Sequence, residues 1–376
     1  MHRIFSSTKR KISRRTILYL TNVFHYAKFA SHAIQTEVKK MSYFSTFRIE
    51  NIKAGTSALI GEIGAAILEL HIPDRNGSAQ DVVLGYADHR LYLTNPHHFG
   101  IVVGRYANRI SDGKFELAGE EWQLDRNNEF GDCIHGGSAG FHLQKFTLRE
   151  QTPNAVTLQL QMPDGAAGFP GNLTLLITYT LTDDGAFSLE YRAVTDKPTV
   201  LNLTNHTYFN LEGVGSTSIL DHQVQIHSDR IVETDGARNI PTGNWLTAHG
   251  QVFDLRKTVR LREYLSPLHE DLQPYMGFDF NYAVRQDLSE VARAYAPATG
   301  ITLSIASSEP ALGFYTGNWL TGTYLGKGGI NYPRHAGLCF ESQHFPDSPN
   351  RPEFPSTTLF PGEEYYQKTI WQFSIR

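Results

Sequence analysis

At 376 residues, with 40% hydrophobic, 19% charged and 12% aromatic residues, the chain has a globular composition with material for a large core. Its formal net charge of −4 divides unevenly: residues 1–41 carry nine Lys/Arg against one acid, Glu37, a net of +8, which leaves −12 for the remainder. So acidic a body argues against nucleic acid as a partner, because that binding rests on neutralising phosphates, and it suits a neutral small molecule.

The basic, acid-poor, Ser-containing segment 1–41 has the marks of an organelle transit peptide. Its apolar stretch is interrupted by Thr21, Asn22, His25 and Lys28, which fits neither a secretory signal nor a membrane span. Two readings stay open: a mitochondrial transit peptide, or a disordered tail or gene-model artefact ahead of a start at Met41, which leaves a cytoplasmic protein. Under both, residues 42–376 are expected to form a single domain.

Beyond Met41 the dominant signal is period-two alternation. Val156, Leu158 and Leu160 alternate with polar neighbours. Leu173, Leu175, Ile177, Tyr179 and Leu181 continue the pattern, the turn Asp183-Asp184-Gly185 follows, and Phe187, Leu189 and Tyr191 resume it. This spacing predicts a β-hairpin. Further turn signals recur at Pro73-Asp74-Arg75-Asn76-Gly77, Asp112-Gly113, Pro163-Asp164-Gly165 and Asn350-Arg351-Pro352. Short helices are expected only at 260–265 and 288–294. The fold class expected is all-β, a large antiparallel β-sandwich.

The two cysteines, Cys133 and Cys339, form no CxxC pair, so neither a disulfide framework nor a structural zinc site is expected. Among 16 histidines none forms a His-x-x-x-His pair, and His97-His98 is a poor chelate. No metal and no cofactor is expected. The Asn-x-Ser/Thr triplets at Asn76, Asn172, Asn202 and Asn205 are read as chance matches.

Five segments set unusual polar residues in strand-like surroundings: Gly104-Arg105-Tyr106-Ala107-Asn108-Arg109-Ile110; Ile134-His135-Gly136-Gly137; Asn202-Leu203-Thr204-Asn205-His206-Thr207-Tyr208-Phe209-Asn210-Leu211; Gly277-Phe278-Asp279-Phe280-Asn281-Tyr282; and Gly337-Leu338-Cys339-Phe340-Glu341-Ser342-Gln343-His344-Phe345-Pro346-Asp347. In this order, together with Asp81-Val82-Val83-Leu84-Gly85-Tyr86, Phe314-Tyr315-Thr316-Gly317-Asn318 and Pro361-Gly362-Glu363, they resemble the galactose mutarotase (aldose 1-epimerase) family from about Phe47 to the C-terminus. His-Gly-Gly alone is commonplace; the ordered set is specific.

The resemblance implies a large antiparallel β-sandwich with an open sugar site, and a cofactor-free interconversion of the α and β anomers of free hexoses such as D-galactose and D-glucose. It implies Glu341 as general base at O1, His206 as general acid at the ring oxygen, and His135 as a second histidine on the sugar. Arg109, Asn108 and Asp279 are implied as substrate-binding residues, with Arg105 expected to be structural. Tyr208, Phe314 and Trp319 could offer faces to the sugar ring, with core packing expected for at least two of them. Family members often carry Gln where this chain has Gly313, so a water or another side chain is expected in that space. The chemistry needs only one base and one acid: a proton leaves the C1 hydroxyl, another reaches the ring oxygen, and closure reverses both transfers. The partner expected is a small aldose, with no nucleic acid, no membrane, and a monomer or weak homodimer. The alternatives are a hexose-6-phosphate 1-epimerase, which needs a basic cluster, and a non-catalytic sugar-binding module of the same fold. A two-carboxylate glycosidase built on Asp279 and Glu341 is a further rival.

Overall fold

The computed structural model describes residues 43–376, Leu288 excepted, and the N-terminal extension lies outside the described residues. The compact unit described below runs Phe44–Arg376.

Strand alternation builds two principal antiparallel sheets. The larger has nine strands in the spatial order Thr147–Gln151, Ala155–Met162, Leu173–Leu181, Ala186–Thr195, Tyr365–Ile375, Ile301–Ser307, Glu290–Tyr295, Gln223–Ile226 and Val259–Arg260. The expected hairpin lies within it, with Leu173 opposite Thr195 and Leu181 opposite Phe187. Its period-two set Leu173, Leu175, Ile177, Tyr179 and Leu181 is buried, while the intervening residues are partly exposed. That is the pattern of a sheet with one face on the core.

The second sheet has five strands: Pro241–Thr247, Arg230–Thr234, Asp279–Ala283, Ala311–Tyr315 and Cys339–Gln343. Its inner face contributes Ile231, Tyr282, Leu312, Phe314 and Phe340 to the same apolar cluster as Leu175, Leu189, Leu303 and Trp371 of the large sheet. Gln367 of the large sheet donates to the Ser342 carbonyl of the small one at 2.9 Å. Because side chains alternate across a strand, the other face of the small sheet carries Asp279, Asn281, Gly313, Tyr315, Cys339, Glu341 and Gln343. Register then sets neighbours: Asp279 faces Tyr315 and Tyr315 faces Cys339, while Asn281 faces Gly313 and Gly313 faces Glu341. This row of polar residues on a strongly buried sheet is what positions the site.

One expected helix is corrected. Residues 260–265 do hold a single helical turn, Arg262–Leu265, but within 288–294 the backbone forms the strand Glu290–Tyr295. A register shift between Glu290 and Ala292 turns both Val291 and Ala292 inward. A bulge of this kind breaks period-two spacing and mimics a helical stripe.

Candidate active site

Residues from 96–98, 108–109, 134–135 and 206–208 converge on the polar face of the small sheet, which itself contributes Asp279, Tyr315 and Glu341. Glu341 sits in the middle of its edge strand and is 6% exposed. His206 follows the two-residue strand Thr204–Asn205, which pairs with Val102–Val103. Its backbone is held on both sides: its N–H donates to Ile101 and its carbonyl accepts from Gly100, at 2.9 and 3.0 Å. The Asn205 amide also donates to the Gly100 carbonyl, at 3.1 Å. Gly100 has φ +70, and a Cβ there would stand 2.4 Å from the Ile67 carbonyl oxygen, so the approach requires glycine.

His135 and Asn108 enter from a neighbouring loop pair. The strand Arg109–Ile110 pairs with Cys133–Ile134. The Asn108 N–H donates to Nδ1 of His135 at 3.3 Å, while the His135 N–H donates to the Asn108 carbonyl at 2.9 Å. An accepting Nδ1 leaves the proton of the neutral ring on Nε2, so His135 presents a donor to the cavity. Both residues hold positive φ. The following Gly136 has φ +88, and a Cβ there would stand 2.0 Å from the Gly104 carbonyl oxygen. That explains the Gly after His135: only a residue without a Cβ lets the two loops touch.

The cavity is about 210 Å³ and is lined by Pro96, His97, His98, Asn108, Arg109, Ile134, His135, His206, Tyr208, Asp279, Tyr315, Trp319 and Glu341. It therefore brings together all seven site residues expected from the sequence. Nε2 of His206 lies 3.8 Å from Oε1 of Glu341. Oε2 of Glu341 and Nε of Arg109 are buried without a hydrogen-bond partner, an arrangement that costs energy unless a ligand supplies one. Arg109 also donates from Nη1 to the Asn108 side chain at 3.1 Å. The Asn239 amide donates to Asp279 at 3.3 Å.

Burial sets the protonation of these groups. It pushes the Glu341 carboxyl up to about 8, the Asp279 charge adding to the effect and Arg109 opposing it. Burial pushes the His206 imidazole down to about 4 and holds His135 well below its ordinary value, with His98 and His206 adding repulsion. Asp279 is raised by burial too, against the pull of Arg109. The cavity thus favours few charges, as a low-dielectric site must.

The other expected residues fall as follows. Arg105 points away, into carbonyls of Pro170 and Gly171 and the Thr199 hydroxyl. Phe314 packs in the core against Phe340. Tyr208, like Phe314, is buried in a hydrophobic cluster, as expected for two of the three aromatics, and it also borders the cavity, as does Trp319. Tyr208 stacks on His206 with ring centroids 5.0 Å apart, and Trp319 is 59% exposed at the mouth. The space beside Gly313 is faced by side chains: a Cβ there would lie 3.3 Å from both Gln343 Nε2 and Glu341 Cβ. Gln343 in turn donates to Asn281 at 2.8 Å.

Sequence reasoning missed Tyr315, His97 and His98 as cavity residues. Tyr315 stands in the run Phe314-Tyr315-Thr316-Gly317-Asn318, and alternation with the core residue Phe314 would have set it on the opposite face. Among the described residues no group of three or more His, Cys, Asp or Glu is placed to hold a metal ion. No described helix is long and apolar enough to cross a membrane. A larger cavity, about 380 Å³, is lined by residues including Ile231, Val252, Phe253, Tyr275 and Phe280; its one carboxylate is Asp271 and it has no imidazole.

The aldose 1-epimerase family model matches residues 45–372. The galactose mutarotase of Mus musculus is 43% identical over 314 residues, 83% of this chain and 89% of that protein. The aldose 1-epimerase of Escherichia coli is 36% identical over 326 residues, 85% of this chain and 92% of that protein. Among solved structures, the aldose epimerase homologue from C. elegans superposes with a TM-score of 0.82 at 30% identity, covering 88% of this chain and 99% of that one. The galactose 1-epimerase from Lactobacillus acidophilus gives 0.76 at 26% identity, with the same coverage. With the family model spanning most of its length, the chain belongs to the aldose 1-epimerase family.

Proposed function

We propose that this protein is a mutarotase that interconverts the anomers of a free hexose, with Glu341 as base at O1 and His206 as acid at the ring oxygen. The observation that carries the assignment is the 3.8 Å separation of the two groups within one cavity. In the ring-opening direction the carboxylate takes the O1 proton, the C1–O5 bonding pair moves to O5, and the imidazolium gives O5 a proton. C1 becomes a carbonyl, the C1–C2 bond rotates, and closure returns both protons. The pair carries one proton throughout, on the imidazole before opening and on the carboxyl after it. Burial favours the second arrangement. That is the arrangement that meets an open-chain aldehyde, and opening a pyranose uses its tautomer.

His135 and Arg109 offer donors, and Asp279 an acceptor, to the remaining hydroxyls. A guanidinium fork can grip two neighbouring oxygens. Arg109 is the only Lys or Arg among the cavity-lining residues, which favours a neutral sugar over a sugar phosphate. The test is polarimetry of freshly dissolved α-D-galactose. Acceleration of the drift in rotation well above the buffer rate is expected; drift at the buffer rate would mean that the site binds without turning over.

A further inference from the structure

The loop ahead of Gly100 delivers a third imidazole that the mechanism above does not use. Asn95 is fully buried and clamps the loop: its side chain accepts from the Phe99 N–H at 2.9 Å and donates to the Phe99 carbonyl at 3.1 Å. The His98 N–H donates to the Asn95 carbonyl at 2.9 Å. These bonds hold His98 at φ +57, a left-handed conformation that a side-chain-bearing residue adopts at a cost. The result is a ring set in the cavity wall, with centroids 4.6 Å from His142, 5.3 Å from His135 and 6.0 Å from His206. Among the described residues the ring makes no hydrogen bond; its neighbours are other rings.

The position of this ring along a bound sugar follows from its surroundings. The charged groups that act on Glu341 are Asp279 and Arg109. The rings beside His98 are the imidazoles of His142, His135 and His206, at 4.6, 5.3 and 6.0 Å between centroids. His98 thus belongs to the His206 side of the cavity. In a pyranose the ring oxygen is bonded to C1 and C5. With C1 at Glu341 and the ring oxygen at His206, C5 and its hydroxymethyl group point toward the imidazole side. Burial and the neighbouring imidazoles keep His98 neutral, so it has one donor and one acceptor, the complement of an alcohol rather than of a phosphate.

We propose that His98 is a specificity-determining residue that hydrogen-bonds the 6-hydroxyl of a hexopyranose. This rests on the mutarotase reading and on His206 acting at the ring oxygen.

The experiment compares D-galactose with 6-deoxy-D-galactose, which lacks only that hydroxyl, in the parent protein and in His98→Phe, which keeps an aromatic ring against its neighbours. The parent is expected to favour galactose in kcat/KM by about three- to tenfold, the range of one neutral hydrogen bond. His98→Phe is expected to bring the ratio near one by losing rate on galactose alone. Because both sugars are assayed on one preparation, partial misfolding cancels from the ratio. If Phe is not tolerated in the left-handed loop, His98→Asn, a residue suited to positive φ with a shorter side chain, is read the same way. A parent that does not distinguish the two sugars overturns the proposal, as does a preference that survives the substitution. A parent that accelerates neither sugar overturns the mutarotase reading itself, a separate outcome.

Discussion

Nε2 of His206 and Oε1 of Glu341 stand 3.8 Å apart, with the second carboxylate oxygen left without a hydrogen bond. On the proposed reading, a pyranose bound against them meets a base at its exocyclic O1 and an acid at its ring oxygen, both bonded to C1.

Glu341→Gln keeps the shape of the side chain and removes the base. Its kcat is expected to fall by roughly 10² to 10⁴, the usual contribution of a positioned general base, as read by polarimetry. The same substitution is expected to stabilise the fold in alkali. In the unfolded chain the carboxyl ionises near 4.5; in the folded chain it holds its proton until about 8. Below the first value neither state is penalised. Between the two the folded state loses ground as pH rises, and above the second the loss is complete, on the order of a few kcal/mol. The melting-temperature advantage of Glu341→Gln over the parent therefore grows from pH 5 to pH 9. An advantage that does not change with pH contradicts the assignment of a protonated buried carboxyl.

His206→Asn is expected to lower kcat by a comparable factor while KM changes little, since the ring oxygen needs the proton chiefly in the transition state. A rise in KM at constant kcat would make His206 a binding residue only.

The pair works while it carries one proton. Below about 4 the imidazole gains a second proton and no base remains; above about 8 the carboxyl loses the last one and no acid remains. The kcat/KM profile on galactose is therefore expected to be flat between those limits and to fall on both sides, with limits that belong to the pair jointly. A rate still rising at pH 9 contradicts this.

Arg109→Ala is expected to cost about 1.5–3 kcal/mol in kcat/KM, the range for a charge-assisted hydrogen bond, expressed mainly in KM. Lysine at this position should restore little, because it lacks the fork that grips paired hydroxyls. Full rescue by lysine would reduce Arg109 to a simple positive charge.

Much of this architecture was legible because strands write their period into sequence. The run Leu173 to Leu181 alternates without a break, and it folds as the alternation requires. The strand Glu290–Tyr295 was read as a helix because its bulge sets two inward residues side by side, and no local pattern separates that from a helical stripe. Sheet order was also hidden: Tyr365–Ile375 lies between Ala186–Thr195 and Ile301–Ser307, a pairing of distant segments. The seven expected residues that the cavity gathers stand in motifs whose order is specific. His98 escaped because nothing in Pro96-His97-His98-Phe99 reveals a left-handed backbone. That conformation depends on Asn95 closing the loop from within, and on Gly100 reaching His206.

The most direct test of the central claim is a double-mutant cycle on α-D-galactose mutarotation. If Glu341 and His206 act on one sugar in one proton-conserving step, removing either disables the other. The double variant Glu341→Gln, His206→Asn should then turn over no more slowly than the slower single variant. Losses that multiply across the two substitutions would show independent roles and contradict the paired mechanism.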